Sequence, residues 1–223
     1  MSKGVRSGKQ VRQIGEEIWK NDVIKINSEL FTLTYGSIVA QLCRENEYDY
    51  AKVNEILYEM GYNIGLRLIE EFMCKSKLER CTNLKETSEI ITNIGFKMFL
   101  NIVPQITYWS SDGRTFQITL PENPLADFVE LPDDVDDVEG FDDVESVANR
   151  IGDIDFNKKH RGNARKELWY SNILCGVIKG SLEMVQLDCQ VWFVNDTLRG
   201  DETTDIKVKL NQVLKDEIPD GDE

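Results

Sequence analysis

The chain has 223 residues, 41% of them hydrophobic and 30% charged, with a net charge of −14 at pH 7. That is enough apolar material for one packed domain and requires no second, and so acidic a chain is a poor partner for nucleic acid and gains little from anionic lipid. No apolar run approaches the ~20 residues of a bilayer-spanning helix, residues 1–12 are polar and basic rather than a signal sequence, and five cysteines in no tight framework suit a reducing compartment, so a soluble cytosolic protein is expected.

Residues 1–26 read as a polar N-terminal arm. A first helix is expected from Asn27 or Ser28, because Leu30, Phe31, Tyr35, Ile38, Val39 and Leu42 repeat at helical spacing and would face the core. A second apolar series, Val53, Leu57 and Met60, continues past Gly61 as Ile64, Leu68 and Phe72. The glycine there marks a break or a close helix contact. A third helix runs from Leu84 through Ile91, Ile94, Gly95 and Met98 to about Leu100. Gly95 costs such a helix ~1 kcal/mol relative to alanine, which fits either a helix crossing or room left for a lipid.

Arg80-Cys81 stands just before this third helix. Asn83 can cap the helix and Glu86 can reach back in a capping box, which places the Cys81 thiol beside unpaired backbone N–H groups at the positive end of the dipole. Such surroundings stabilise thiolate, and Arg80 adds positive charge. A free cysteine is more often a small buried hydrophobe, and position alone leaves both readings open.

Residues 106–110 and 115–120 flank Asp112-Gly113, a hairpin signal, and residues 189–198 and 205–214 flank Arg199-Gly200-Asp201. Between them residues 168–187 read as a helix whose Gly176 and Gly180, four apart, indicate tight packing. Helices, hairpin, helix, hairpin is the order of an α+β domain, a four-stranded antiparallel sheet of two hairpins covered by helices, over residues 27–132 and 167–223.

Residues 133–166 interrupt that domain. Ten carboxylates against Arg150 alone over residues 133–155 supply −9 of the net −14, leaving an unremarkable −5 for the rest. Apolar residues at 135, 138, 141, 144 and 147 advance by about 300° per step on an α-helix, so the stripe drifts by ~60° each time and holds no face. A basic cluster follows at Lys158, Lys159, Arg161, Arg165 and Lys166. An acidic then basic disordered insert is expected, either simply solvated or an interaction segment that a partner orders.

Little in the chain suggests catalysis. The single histidine, His160, lies in the insert with nothing to hold it against Cys81. No glycine-rich phosphate loop, Ser-His-Asp pattern or metal-ligand cluster can be argued, and Glu70-Glu71 reads as a solvated helix face.

Residues 29–36 (ELFTLTYG), 61–72, 123–132 (NPLADFVELP) and 169–186 (WYSNILCGVIKGSLEMVQ), with Arg80-Cys81, resemble the Bet-three type acylated core subunits of the transport protein particle (TRAPP), fungal-like, with an acidic insertion where that family has a short loop. The resemblance covers residues 16–132 and 168–223. It implies the same α+β fold and a non-catalytic subunit of the complex that tethers vesicles between endoplasmic reticulum and Golgi and acts as nucleotide exchange factor for a Rab GTPase. It implies a palmitoyl thioester on Cys81, supported by Arg80, with no metal. Burying sixteen carbons represents on the order of 12 kcal/mol of transfer free energy. Leu84, Ile91, Gly95 and Met98 are the candidates for the wall of an internal lipid tunnel. Implied partners are other TRAPP subunits, or a second copy in isolation, and the Rab GTPase, with the C-terminal tail around Glu217, Ile218 and Pro219 close to it. The implied location is peripheral, at Golgi and endoplasmic reticulum membranes. Two alternatives stay open: a cysteine acyl-transferase or thioesterase whose Cys81 adduct turns over, and a carrier of exchangeable lipid.

Overall fold

The computed structural model describes residues 8–78, 81, 83–132 and 163–214. It has four strands in one antiparallel sheet of order β1-β2-β4-β3, built from two hairpins joined through β2 and β4. β1 (Gln105–Trp109) and β2 (Thr115–Leu120) turn about Gly113, whose φ of 66° lies in the left-handed region. β3 (Leu187–Asn195) and β4 (Thr204–Val213) form the second hairpin. Alternation puts Phe116, Ile118, Val191, Phe193, Ile206 and Val208 on the buried face, where they meet the helices in one core cluster. The expected fold class is observed.

The first helix begins earlier than the sequence suggests. α1 spans Gly8–Asn21, inside the segment read as a polar arm. Val11 and Ile18 are buried, Ile14 packs beside them, and Trp19 lies half-buried at the edge of the stripe. These four stand at i, i+3, i+7 and i+8, a helical pattern that the polarity of the segment as a whole obscures. α2 (Ser28–Glu45) starts where expected, Asn27 Oδ1 accepting the Leu30 amide at 2.8 Å. Tyr35 and Val39 reach the core, but Leu30, Phe31 and Ile38, assigned to the same core face, are exposed.

α3 (Tyr50–Ser76) is one unbroken helix, so Gly61 marks a close contact rather than a break. It lies against the helix Ile173–Met184, backbone to backbone: a Cβ on Gly61 would fall 2.0 Å from the Ile173 carbonyl oxygen, and one on Gly176 2.0 Å from that of Tyr58. The third predicted helix is divided. α4 (Leu84–Ile90) and α5 (Phe96–Leu100) are joined by a wide π turn, Ile91–Gly95.

α6 (Ala164–Glu167) and α7 (Ile173–Met184) precede β3. α6 falls at the end of the segment read as disordered insert, and there the boundary moves. Asn163 caps α6 by accepting the Lys166 amide at 3.1 Å, and Ala164 is buried. Arg165 Nε donates to the Leu131 carbonyl at 3.3 Å, while the Arg199 guanidinium stacks 3.7 Å over the Trp169 ring and donates to the Arg165 and Lys166 carbonyls. Arg165 and Lys166 act here through their backbones and α6 as much as through charge, which composition does not show. Residues 133–162 lie outside the described residues.

The Arg165–Leu131 bond brings the two ends of that segment together. Replacing residues 134–161 with a short Gly/Ser bridge should therefore move the melting temperature by no more than ~3 °C, the shift about 1 kcal/mol makes in a domain of this size. Calorimetry of the shortened chain checks it; a drop of ten degrees would show that the segment packs on the domain.

Candidate functional site

Cys81 lies between the end of α3 and the start of α4. Lys77, in the left-handed region at φ 51°, closes α3, and Asn83 opens α4, its Oδ1 accepting the Glu86 amide at 2.7 Å. The expected cap is present, but Glu86 meets the Asn83 side-chain amide, at 3.5 Å, not through the reciprocal backbone bond of a full capping box.

From this position Cys81 lines a cavity between the second half of α3, the α4–π–α5 segment and α7. Including its open mouth, the void is about 930 Å³. Its walls are formed by Leu68 and Phe72 of α3, Ile91 and Phe99 of the middle segment, and Ile178 and Leu182 of α7, among others. Two hydroxyls reach the wall, and both are engaged: Thr87 donates to the Asn83 carbonyl at 2.9 Å and Ser181 to that of Gly65 at 3.2 Å. The space therefore offers a ligand almost nothing but hydrocarbon contact.

Of the four tunnel candidates, Ile91 and Gly95 line the cavity, and a Cβ built on Gly95 would meet nothing within 4 Å. Leu84 and Met98 do not. Leu84 is buried in the sheet-side core, and Met98 in a second cluster with Val11 and Ile18 of α1. For Met98 the π turn is the reason, because it breaks the 3.6-residue phase on which Met98 was assigned to the Gly95 face. Arg80 and the tail residues Glu217, Ile218 and Pro219 lie outside the described residues, as does His160. The α3 and α7 walls were missed. Their signal was Leu68 with Phe72, and Leu174, Ile178 and Leu182 at four-residue intervals, which periodicity assigns to core without saying whether the neighbour is protein or empty space.

The other cysteines are distinct. Burial pushes the Cys175 thiol well above its ordinary value, raises that of Cys189 to about 12, and raises that of Cys43. These remain protonated small hydrophobes. Cys74 is exposed, away from the cavity wall. Among the described residues no group of three His, Cys, Asp or Glu side chains could hold a metal ion, and no helix is long and apolar enough to cross a membrane.

A family model described as transport protein particle (TRAPP) component matches residues 31–209. The chain belongs to the TRAPP component family. Trafficking protein particle complex subunit BET3 of Saccharomyces cerevisiae is 57% identical over 215 residues, covering 96% of each chain. Transport protein particle subunit bet3 of Schizosaccharomyces pombe is 51% identical over 211 residues, covering 95% of this chain and 98% of its own. Among solved structures, a trafficking protein particle complex subunit 3 from Naegleria fowleri, covalently bound to palmitic acid, is 40% identical with a TM-score of 0.68, covering 86% of this chain and 99% of that one. The resemblance read from the four sequence blocks is thus confirmed over nearly the whole chain. The TRAPP fold of that neighbour is the four-stranded α+β arrangement described above.

Proposed function

We propose that this TRAPP component carries a palmitoyl chain as a thioester on Cys81, folded into the cavity between α3, α5 and α7. In this reading it is a non-catalytic core subunit that helps assemble the vesicle-tethering Rab exchange factor at Golgi and endoplasmic reticulum membranes. The observation that carries the acyl assignment is a partly exposed thiol on the wall of a deep, almost wholly apolar space, with the Gly95 backbone left bare beside it. The palmitate bound to the Naegleria fowleri protein supports the same reading. When bound, the acyl group supplies apolar surface that completes the interior, at ~0.8 kcal/mol per buried methylene. Leu68, Phe72, Ile178 and Leu182 hold it by contact alone.

Protein purified from a eukaryotic host should carry a fatty-acyl mass increment that neutral hydroxylamine removes and that Cys81→Ser lacks. Unmodified wild-type mass in protein isolated with its complex would refute the assignment. Turnover of the adduct during incubation in buffer would favour the transferase reading, and a lipid lost on denaturation without hydroxylamine the carrier reading.

Assembly needs a surface, and α2 supplies one. Leu30, Leu33 and Ile38 are 65, 57 and 38% exposed, and Ile24 and Ile26, just before the helix, are more than two-thirds exposed. Apolar exposure of this kind on one element marks a protein contact. Leu33→Glu with Ile38→Lys should abolish co-purification of related TRAPP subunits while leaving the melting temperature of the isolated chain within ~3 °C of wild type. Undiminished co-purification would place the contact elsewhere.

A further inference from the structure

On a regular α-helix Gly95 and Met98 would both lie within ~40° of Ile91, and Leu100 would lie on the opposite side. The wide turn changes this. The Phe96 amide donates to the Ile91 carbonyl, five residues back, and one extra residue in a turn rotates everything after it by about 100°. Ile91, Gly95, Phe96, Phe99 and Leu100 therefore share the cavity wall. Met98, 2% exposed, does not line that wall; it packs with Val11, Ile18 and Ile94 in a cluster whose other members, Phe72, Leu78 and Ile90, form the wall itself.

One feature permits the wide turn and another fixes it. Within the segment, Thr92 Oγ1 donates to the Ser88 carbonyl at 3.0 Å and to that of Glu89 at 3.3 Å, and Asn93 Nδ2 donates to the Glu89 carbonyl at 2.9 Å. Such bonds loosen the backbone ladder without widening it by themselves, since Thr34 and Asn63 make them within the regular helices α2 and α3. From outside, α1 presses on the turn itself: a Cβ on Gly15 would fall 2.1 Å from the Asn93 carbonyl oxygen. The closest approach of α1 is thus made to a carbonyl inside the wide turn.

The geometry points to α1 and the wide turn as the device that sets the size of the acyl cavity. Seated through Gly15 on Asn93, α1 keeps the turn wide and Met98 on its own side, so that the cavity stays open beside Gly95. This rests on the reading of Cys81 as the acylated residue, and it makes Gly15, Thr92 and Asn93 positioning residues of that site. α1 acts on the lipid without touching it.

The test separates the turn from the lipid. In full-length Cys81→Ser protein, which needs no acyl chain, methyl NMR should show the Met98 methyl near Val11 and Ile18. In Gly15→Val it should show contacts to Leu182 or Val185 on the cavity wall. With Cys81 restored, Gly15→Val should lose most of the hydroxylamine-sensitive mass increment, and adding Met98→Ala should bring it back. Because Met98 packs beside Val11 and Ile18, Met98→Ala could also relieve plain overpacking at Gly15, so the rescue counts for a blocked cavity only where adding Met98→Ala does not raise the melting temperature of Gly15→Val in the Cys81→Ser background. Thr92→Val keeps the volume, removes the hydroxyl bonds, and serves as the second variant should Gly15→Val fail to fold. Met98 remaining against α1 in the folded variants, or acylation unrescued by Met98→Ala, overturns the proposal. An acyl increment absent from the wild type overturns the assignment at Cys81 alone, and the NMR contacts still decide the turn.

Discussion

Gly176→Val should leave little or no cooperative unfolding transition at 25 °C. A Cβ at this position would lie 2.0 Å from the Tyr58 carbonyl oxygen, 2.7 Å from the Tyr62 nitrogen and 2.9 Å from Gly61 Cα. All three are backbone atoms of α3, so no side chain can turn aside and the helices must separate. Ordinary overpacking costs ~1–3 kcal/mol because neighbouring side chains give way. Here the displaced object is a 27-residue helix that carries Val53 and Leu57, both fully buried. Against a total stability of ~5–15 kcal/mol, losing the α3–α7 contact removes a large share. Urea titration followed by circular dichroism measures this. A midpoint within error of wild type would mean that the two helices can stand apart without consequence.

Gly95→Leu should have the opposite character, sparing the fold and removing the lipid. Nothing lies within 4 Å of a Cβ built there, and leucine gains nearly 1 kcal/mol of helix propensity over glycine. Its added carbons enter the cavity proposed to hold the acyl chain. The variant should therefore fold, lack the fatty-acyl mass increment, and match or exceed the stability of Cys81→Ser when the two changes are combined. If the interior there were close-packed, leucine would cost ~1–3 kcal/mol with or without Cys81. The double-mutant comparison separates these cases. Full acylation of Gly95→Leu, or equal destabilisation in both backgrounds, would place the chain elsewhere.

The contrast between these two glycines shows what could be read from the chain before its structure. The sequence pattern located both, and it identified Gly176 and Gly180 as a packing contact because small residues four apart on a helix have few other uses. For Gly95 it offered crossing or cavity, and the choice waited on the neighbours. Helix starts were legible where a cap supplied a local hydrogen bond, as at Asn27 and Asn83. The hairpin at Asp112-Gly113 was legible because a left-handed turn demands a particular residue type. α1 was hidden by composition: Val11, Ile14, Ile18 and Trp19 keep helical spacing, but the polarity of the segment around them reads as an arm, and only the structure shows Gly15 seated on Asn93.

By itself the sequence determined the α+β class, the two hairpins with the helix between them, and the family, all of which are encoded over stretches of ten or twenty residues. Only the tertiary structure decided which apolar faces meet protein and which meet space. Leu30 and Ile38 of α2 share helical spacing with the core yet stay exposed, and Leu68, Phe72, Ile178 and Leu182 belong to a core with a cavity in it. The phase of the third helix was likewise settled at a distance. Periodicity predicts a side chain's direction only while the turn keeps 3.6 residues, and the turn at Ile91–Gly95 is wide and is fitted against an N-terminal helix some eighty residues earlier in the chain. A one-residue change of phase moved Met98 out of the cavity and left Gly95 in it, because the direction of a helical side chain is local information but its neighbour is not.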